Sequence, residues 1–263
     1  MGTPLSTALI TGASSGIGRV FAKKLAAQGT DLVLVARSED KLKDLASDLE
    51  QQFQINAHVI VQDLTQPDGV SHVVHQVNAW GLAIDGLVNN AGFGDYGAFG
   101  DRSRQRQLDM IQLNITSLVD LTHQFLPAMQ QRRSGAIVNV SSIAGFQPMP
   151  YLSVYAATKA FVLSFSEALW VENRDYGVKV VALCPGPTET EFFKVAQFPL
   201  TFAEQTPQKL TSPEEVVRDA LEAIASNTPT VVSGGLLNQV IVNLPRFFPR
   251  PTLANVVGSQ FRP

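Results

Sequence analysis

The segment formed by residues 8–36 constrains the fold of this chain more than any other. A short apolar run at 8–11 leads into the glycine turn Gly12-Ala-Ser-Ser-Gly16-Ile-Gly18, and an amphipathic stretch at 19–28 precedes a second apolar run at 31–36. Strand, glycine turn, helix and strand in this order are typical of a dinucleotide site. The glycines let the backbone approach a pyrophosphate, and the helix N-terminus presents free N–H groups. We predict a nucleotide-binding turn with the spacing G-x-x-x-G-x-G; a tight turn without a ligand is the alternative.

Apolar strands and amphipathic helices keep alternating as far as residue 233. The remaining predicted strands are 57–62, one from 85 that runs into the small-residue turn 89–92, 135–140, 177–183 and 228–233. The remaining predicted helices are 41–53, one through 70–77, 104–132, 152–175 and one that starts at Ser212-Pro213-Glu-Glu215, a typical helix N-terminus, and ends near 226. Because no linker interrupts this βα alternation, we expect one α/β domain over residues 1–263. We expect its apolar C-terminal extension, about 234–263, to pack on the domain or on a partner subunit.

Composition and charge exclude several classes of protein. The 263 residues carry a net charge of −3, which gives no reason to expect a nucleic-acid partner. No run reaches the roughly 18 apolar residues of a membrane span and no secretory signal is recognisable, so we expect a cytoplasmic protein without an integral membrane segment. The single cysteine, Cys184, excludes an internal disulfide and a cysteine-based zinc site, and we expect no metal. Residues 1–6 loosely fit an N-myristoylation pattern, which we discount because the first strand starts at about Thr7.

The segment from Ser141 to Lys159 has the outline of a proton-transfer site. The apolar strand 135–140 ends at Ser141 and Ser142, and a long helix follows. Tyr155 and Lys159 are four residues apart, so on a helix they lie on the same face. A hydroxyl at a strand end that faces this pair could exchange protons with a ligand. The alternative is a half-buried tyrosine beside a solvated lysine.

The end of the second strand predicts the type of nucleotide. Proteins that bind NAD usually place Asp or Glu there for the adenine ribose hydroxyls, whereas this chain has Ala36 followed by Arg37. A guanidinium binds a 2′-phosphate that a carboxylate would repel, so we expect NADP(H) to be preferred over NAD(H). An ordinary surface arginine is the alternative. We expect Asp63, after the third strand, either to hold the adenine amino group or to cap the next helix.

Taken together, these residues resemble the short-chain dehydrogenase/reductase family over residues 7–233. The motifs fall in the family's order: Thr11-Gly-Ala-Ser-Ser-Gly-Ile-Gly18, Asn89-Asn-Ala-Gly92, Asn114, Ser142, Tyr155-x-x-x-Lys159 and Pro185-Gly186. Ser142 precedes Tyr155 by thirteen residues, which is the family's spacing and selects Ser142 over Ser141. Arg37 is similar to the basic residue of the NADP-preferring branch. The resemblance implies a doubly wound, Rossmann-type sheet of about seven parallel strands with helices on both faces, and a homodimer or homotetramer.

The resemblance also implies a reaction, the interconversion of a carbonyl and an alcohol with NADP(H). Tyr155 would be the general acid/base, Lys159 would lower its pKa and bind the nicotinamide ribose, and Ser142 would stabilise the carbonyl oxygen. Asn114 lies mid-helix, where asparagine is unfavourable; it would open the helix and hold a water of the proton relay. The residues expected to contact the cofactor are Gly12, Ser14, Ser15, Gly16, Ile17, Gly18, Arg37, Asp63, Leu64, Asn90, Ala91, Gly92, Tyr155, Lys159, Pro185, Gly186, Thr188 and Thr190.

The substrate wall is expected from residues 93–99, 145–147, Tyr151, Pro187 and an apolar lid at 192–202. These residues are mostly apolar, so we expect a small-molecule substrate that is a hydrophobic ketone, aldehyde or alcohol. An ordinary loop packing its own phenylalanines is the alternative to a lid. Two other functions stay open: a cofactor-binding sensor or scaffold, which would have no use for the Asn/Ser/Tyr/Lys set, and an epimerase or dehydratase. The latter proteins usually have a shorter gap between the first two motif glycines and a larger C-terminal domain.

Overall fold

The strands are short runs of mostly apolar residues, as expected where helices cover both faces of a sheet. The computed structural model describes residues 5–199 and 210–262. Within these residues one sheet contains β1 (Thr7–Thr11), β2 (Asp31–Ala36), β3 (Ala57–Val61), β4 (Gly86–Asn89), β5 (Gly135–Val140), β6 (Val178–Pro185) and β7 (Thr230–Ser233). All neighbouring strands pair in parallel. The predicted seven-stranded parallel sheet is confirmed.

The order of the strands creates a crevice near the middle of the sheet. The order is β3-β2-β1-β4-β5-β6-β7, so the winding direction reverses between β1 and β4. In doubly wound sheets ligands bind at this reversal, beyond the carboxyl ends of the strands. β1 ends at Thr11, directly before the glycine turn, and β4 ends at Asn89, directly before the small-residue turn. The fold therefore brings two of the sequence motifs to one place.

Successive strand residues point to opposite faces of the sheet, and here both sets are apolar, so helices cover both faces. The helices are α1 (Gly16–Ala26), α2 (Glu39–Phe53), α3 (Gly69–Ala79), α4 (Arg104–Ile111), α5 (Ser117–Arg132), α6 (Ser153–Glu172), α7 (Phe192–Val195), α8 (Pro213–Ser226), α9 (Gly235–Asn243) and α10 (Arg250–Gln260). Ile10 and Leu34 pack in a core with residues of α1, α2 and α8. Leu9 and Val33 pack in a second core with residues of α3 and α5. This arrangement confirms the doubly wound, Rossmann-type fold.

Most predicted elements are present, with differences at their ends. Ser212 caps α8 as predicted, since its Oγ accepts a hydrogen bond from Glu215 N at 3.2 Å. β6 continues through Pro185 instead of ending at residue 183. The prediction that Asp63 caps a helix is wrong: its carboxylate accepts hydrogen bonds from the N–H and hydroxyl of Thr65, and Asp68 is the N-cap of α3.

The C-terminal segment, in which no motif was recognised, is largely helical. It consists of α9, a 3-10 turn (Leu244–Arg246) and α10. Asn238 Nδ2 donates to Ser233 O at 2.8 Å, and the Tyr96 hydroxyl donates to Phe261 O at 2.9 Å. The segment therefore folds back onto the end of β7 and onto the loop after β4. Residues 1–4 of the N-terminal myristoylation pattern (1–6) and Phe202 of the expected lid lie outside the described residues.

Candidate active site

The turn after β1 has backbone conformations that favour glycine. Gly12 (φ +66°) and Gly16 (φ +52°) are both in the left-handed region. Asn90 Nδ2 donates to the carbonyl oxygens of Thr11 at 2.9 Å and Gly12 at 3.3 Å. Thr11 Oγ1 accepts hydrogen bonds from the N–H groups of Asn90 and Ala91, both at 3.0 Å. Two motifs that are 79 residues apart in the chain thus form one hydrogen-bonded corner.

This corner has the properties of a dinucleotide site, because side chains would not fit where its glycines lie. A Cβ on Gly18 would lie 2.4 Å from Gly12 O, and a Cβ on Gly92 would lie 2.9 Å from Asn114 Oδ1. Ser15 is the N-cap of α1, whose first N–H groups have no partner inside the helix. Close backbone approach, serine hydroxyls and free N–H groups fit a pyrophosphate.

The end of β5 and the first turns of α6 bring three predicted side chains together. Tyr155 is 9% exposed and Lys159 is 5% exposed. Lys159 Nζ donates to Val140 O at 2.7 Å and lies 5.7 Å from the centre of the Tyr155 ring. Ser142 lies beside Tyr155 and lowers the pKa of its phenol, and Ser142 Oγ accepts a hydrogen bond from Ala144 N at 3.1 Å. The alternative serine, Ser141, is buried and donates to the backbone carbonyl of Lys159 at 2.7 Å, so it ties β5 to α6.

Burial controls the protonation of the tyrosine and the lysine. It raises the pKa of Tyr155 to about 12, although the neighbouring Ser142 side chain acts in the opposite direction. It lowers the pKa of Lys159 to about 8. The net shift of the Tyr155 pKa is upward, because lost solvation of the phenolate is the largest effect; the lowering by Lys159 stays a prediction. At neutral pH the phenol is protonated and most of the lysine is cationic.

The helix that contains Asn114 is interrupted at that residue. A π-helical turn, Gln112–Thr116, separates α4 from α5, which confirms the predicted local opening. Asn114 Nδ2 donates to Phe93 O at 3.0 Å and to Thr158 Oγ1 at 3.1 Å, and Oδ1 accepts from Phe93 N at 3.1 Å. The side chain thus fixes the loop after β4 against α6. The water that Asn114 is expected to hold stays a prediction.

The predicted NADP determinant lies at the end of β2. The Arg37 side chain is 75% exposed, and its Nη1 is 3.9 Å from Asp63 Oδ2, on a carboxylate that is 34% exposed. At this distance and exposure the ion pair is weak, so the guanidinium is available to an anionic ligand. Asp63 lies beside Arg37 and belongs to the same end of the site.

One large cleft connects these parts. Its volume is about 1340 Å³. The predicted residues that line it are Gly12, Ser14, Ser15, Gly16, Ile17, Arg37, Asp63, Leu64, Asn90, Ala91, Gly92, Ser142, Tyr155, Lys159, Pro185, Gly186, Thr188 and Thr190. The two other predicted site residues pack directly behind this wall, Gly18 against Gly12 and Asn114 against Gly92. The structure therefore brings the predicted residues to one site.

The part of the cleft beside Tyr155 is mostly apolar. The predicted wall and lid residues found there are Phe93, Gln147, Pro187, Phe192, Phe193 and Phe198. The Phe192 ring lies 5.2 Å from the Tyr155 ring. Gly145, also predicted for the wall, packs instead against the backbone of Lys159.

Two segments that were not predicted to line the cleft also contribute to this apolar wall. Their lining residues are Ile143, Ala144, Met149, Leu152, Leu237, Ile241, Leu244, Leu253, Val256, Val257, Gln260 and Phe261. Most of them belong to the C-terminal segment. The spacing of Leu237, Ile241 and Leu244 is the i, i+4, i+7 pattern of one helix face, so the sequence did contain a signal for an apolar helix side.

A buried ion cluster, which no motif indicated, holds the lid helix α7. It comprises Asp95, Arg102, Arg106 and Gln107, and we call it the Asp95 cluster. The Asp95 side chain has no solvent exposure and accepts hydrogen bonds from Arg102 Nε at 3.0 Å, Arg106 Nε at 2.8 Å and Gln107 Nε2 at 2.6 Å. Burial acts to raise the pKa of Asp95, but the arginine hydrogen bonds outweigh it and lower the pKa. Arg106 also donates to Val195 O in α7, which fixes the position of the lid.

Comparison with known proteins gives consistent matches. The chain matches the short chain dehydrogenase family over residues 6–197. Human very-long-chain 3-oxoacyl-CoA reductase is 33% identical over 244 residues, which are 90% of this chain and 75% of that protein. Rat 17-beta-hydroxysteroid dehydrogenase type 3 is 34% identical over 257 residues, 97% of this chain and 80% of that protein. A short-chain dehydrogenase from Sphingobium yanoikuyae, solved in complex with NADPH, is 33% identical, has a TM-score of 0.80 and aligns over 97% of this chain and 94% of that one.

Proposed function

This chain belongs to the short-chain dehydrogenase family of oxidoreductases, and we propose that it interconverts a bulky hydrophobic ketone or aldehyde and the corresponding alcohol with NADP(H). The observation that carries the proposal is the buried pair of Tyr155 and Lys159, with Ser142 beside the phenol, at the wall of a cleft that is apolar beside them. We place the activity in one catalytic domain that includes the C-terminal segment, because this segment lines the same cleft.

The three side chains can supply the proton chemistry of carbonyl reduction. NADPH, when bound, supplies the hydride for the carbonyl carbon. Tyr155 donates a proton to the carbonyl oxygen, and its raised pKa keeps the phenol protonated at neutral pH. Ser142 hydrogen-bonds the same oxygen and stabilises the negative charge that develops there. The Lys159 ammonium stabilises the tyrosinate left after the transfer, since both groups are buried.

Asn114 enters this proposal as a positioning residue of the proton relay. Its amide binds the backbone of Phe93 on one side and Thr158 of α6 on the other. It also lies against Gly92, where a Cβ would be 3.5 Å from Lys159 Nζ. Asn114 therefore sets the width of the cleft beside the ammonium group, through which the relay must resupply protons to Tyr155.

The remaining cofactor contacts are proposed from the cleft lining. The glycine turn and Ser15 hold the pyrophosphate. Thr188 and Thr190 hold the nicotinamide amide and the neighbouring phosphate, and a Cβ on Gly16 would lie 3.0 Å from Thr190 Cγ2, so the loop after β6 faces the glycine turn. Lys159 binds the nicotinamide ribose as well as serving the tyrosine.

The preference for NADP(H) is proposed from Arg37. The guanidinium is mostly exposed at the end of β2, where Ala36 leaves no carboxylate to repel a 2′-phosphate. The NADPH complex of the Sphingobium yanoikuyae relative supports this choice. The substrate class is proposed from the apolar lining and is supported by the names of the two relatives, whose substrates are a very-long-chain acyl group and a steroid.

A titration followed by turnover tests the proposal. The purified protein is titrated with NADPH and NADH by nicotinamide fluorescence, as wild type and as Arg37→Glu, and is then assayed with a panel of bulky ketones. We expect NADPH to bind more tightly, Arg37→Glu to lose this preference, and Tyr155→Phe to abolish turnover while still binding NADPH. Tyr176→Phe, on an exposed tyrosine, is the matched control and should keep full activity. Undiminished turnover by Tyr155→Phe would refute the mechanism, and binding without any turnover would favour a sensor.

The assembly and the location predicted from the sequence are also carried forward as proposals. We expect a homodimer or homotetramer, which light scattering of the purified protein measures directly. We expect a cytoplasmic protein, and fractionation of cells that express the tagged chain tests this.

A further inference from the structure

The C-terminal segment presents a set of exposed apolar side chains. They are Leu236, Leu237, Val240, Leu244, Phe247, Phe248 and Val256, and we call them the C-terminal apolar surface. Leu236 is 85% exposed and Phe247 is 78% exposed. Single exposed apolar residues are ordinary, but a set of seven within 21 residues of chain is typical of an interaction surface.

The charge of this segment is opposite to that of the whole chain. Residues 234–263 contain Arg246, Arg250 and Arg262 and no Asp or Glu, whereas the chain carries a net charge of −3. Arg246 and Arg250 are exposed and flank Phe247 and Phe248 directly. Exposed aromatic rings between arginines are typical of segments that insert into the headgroup region of an anionic lipid bilayer.

The same surface contains an opening of the cleft. Leu237, Leu244 and Val256 are exposed and also line the cleft whose inner wall carries Tyr155. An apolar molecule could therefore pass from this surface to the tyrosine along apolar side chains.

We propose that the C-terminal apolar surface docks on an anionic lipid bilayer and that a hydrophobic substrate enters the cleft from the lipid. The second half of this statement rests on the proposed function; the first half does not. Among the described residues no helix is long and apolar enough to cross a membrane. A second copy of the chain is the less suitable occupant, because two such surfaces would bring arginines together without a carboxylate from either segment.

The charges and the aromatic rings contribute separately to the predicted affinity. Each arginine near an anionic surface corresponds to about a fivefold gain in partitioning. Inserting each exposed phenylalanine contributes about tenfold or more. Binding should be stronger at 0.1 M than at 1 M salt, because the Debye length falls from about 10 Å to about 3 Å.

Co-sedimentation with vesicles tests the docking. The full chain is mixed with vesicles of phosphatidylcholine alone or with phosphatidylserine, and bound protein is measured. We expect binding to the anionic vesicles, at least about 100-fold weaker binding of Phe247→Ser/Phe248→Ser, and about 25-fold or greater weakening by Arg246→Glu/Arg250→Glu. The matched controls, Val171→Ser/Tyr176→Ser on exposed residues of α6 and the turn after it, and Lys23→Glu/Lys24→Glu on α1, should bind like wild type.

Turnover distinguishes the two halves of the proposal. Phe247→Ser/Phe248→Ser should reduce a soluble ketone at the wild-type rate and should lose at least about tenfold in rate with a bulky ketone dissolved in vesicles. Vesicle binding without any turnover would leave the docking standing and overturn the proposed function. Equal binding of the Phe variant and wild type to vesicles would overturn the docking. Absence of wild-type binding to the vesicles would also overturn it. In that case, a change from dimer to monomer in the Phe variant would identify a second copy of the chain as the occupant.

Discussion

Asp95→Asn removes the only negative charge of the Asp95 cluster while keeping a side chain of the same shape. In the structure this carboxylate is fully buried and binds Arg102 and Arg106, whose side chains are 22% and 29% exposed. Arg102 also donates a hydrogen bond to Gln197 Oε1, and Arg106 also donates one to the backbone carbonyl of Val195 in α7. The substitution therefore leaves two partly buried cations uncompensated beside the lid.

The cost can be estimated from the burial of these groups. Breaking a buried ion pair by removing one partner costs about 3–5 kcal/mol. Because water reaches part of both guanidinium groups, we expect the lower end, about 3 kcal/mol. In a protein of this size this lowers Tm by roughly 6–12 °C. Asp85→Asn is the matched control, since Asp85 pairs with one partly exposed arginine, Arg132; it should cost no more than about 1 kcal/mol.

The pH dependence of the stability difference between wild type and Asp95→Asn gives a second measurement. The arginines lower the pKa of Asp95, so its contribution to stability is complete above the ordinary carboxyl pKa of about 4 and is lost as the pH falls through the lowered value. Thermal unfolding of wild type and Asp95→Asn should thus differ fully at pH 7 and converge below about pH 4. Equal Tm losses for Asp95→Asn and Asp85→Asn, or a difference that does not shrink in acid, would refute the reasoning.

Lys159→Met should stabilise the protein by about 1–3 kcal/mol at pH 7, because it removes a buried ammonium whose pKa is lowered to about 8. In denaturant unfolding this gain should be complete below pH 8 and vanish as the pH rises from about 8 to the ordinary lysine value of about 10.5; a variant less stable than wild type at pH 7 contradicts it. Gly18→Ala should weaken NADPH binding about tenfold or more in a fluorescence titration, because the new Cβ meets Gly12 O. Gly100→Ala, whose Cβ would meet no described atom within 4 Å, should bind normally. Ser142→Ala should lower kcat about 10²–10³-fold without changing the KM for NADPH, and a loss confined to KM would exclude its role at the carbonyl oxygen.

The parts of the site that could be predicted from the sequence are those whose physics is local. The glycine turn follows from residues adjacent in the chain, and so does the Ser212 cap of α8. The four-residue spacing of Tyr155 and Lys159 places them on one helix face whatever surrounds the helix. The alternation of apolar strands with amphipathic helices was sufficient for the parallel sheet, since each period depends only on local backbone geometry.

Other features depended on segments far apart in the chain. The Asp95 cluster joins the loop after β4 to the lid through Gln197, which is 95 residues from its partner Arg102. Leu237 and Val256 line the cleft because α9 and α10 fold back over it, although neither helix carries a recognised motif.

The division between what the sequence determines and what the tertiary structure decides is clearest at Tyr155. Its identity, its helix and its distance along the chain from Lys159 were determined by the sequence alone. The direction of its pKa shift was decided by the tertiary structure, because the number of atoms that exclude water from the phenol depends on elements as distant as β5 and the lid. Local periodicity places a side chain on a face, whereas solvation and electrostatics are sums over everything that packs against that face.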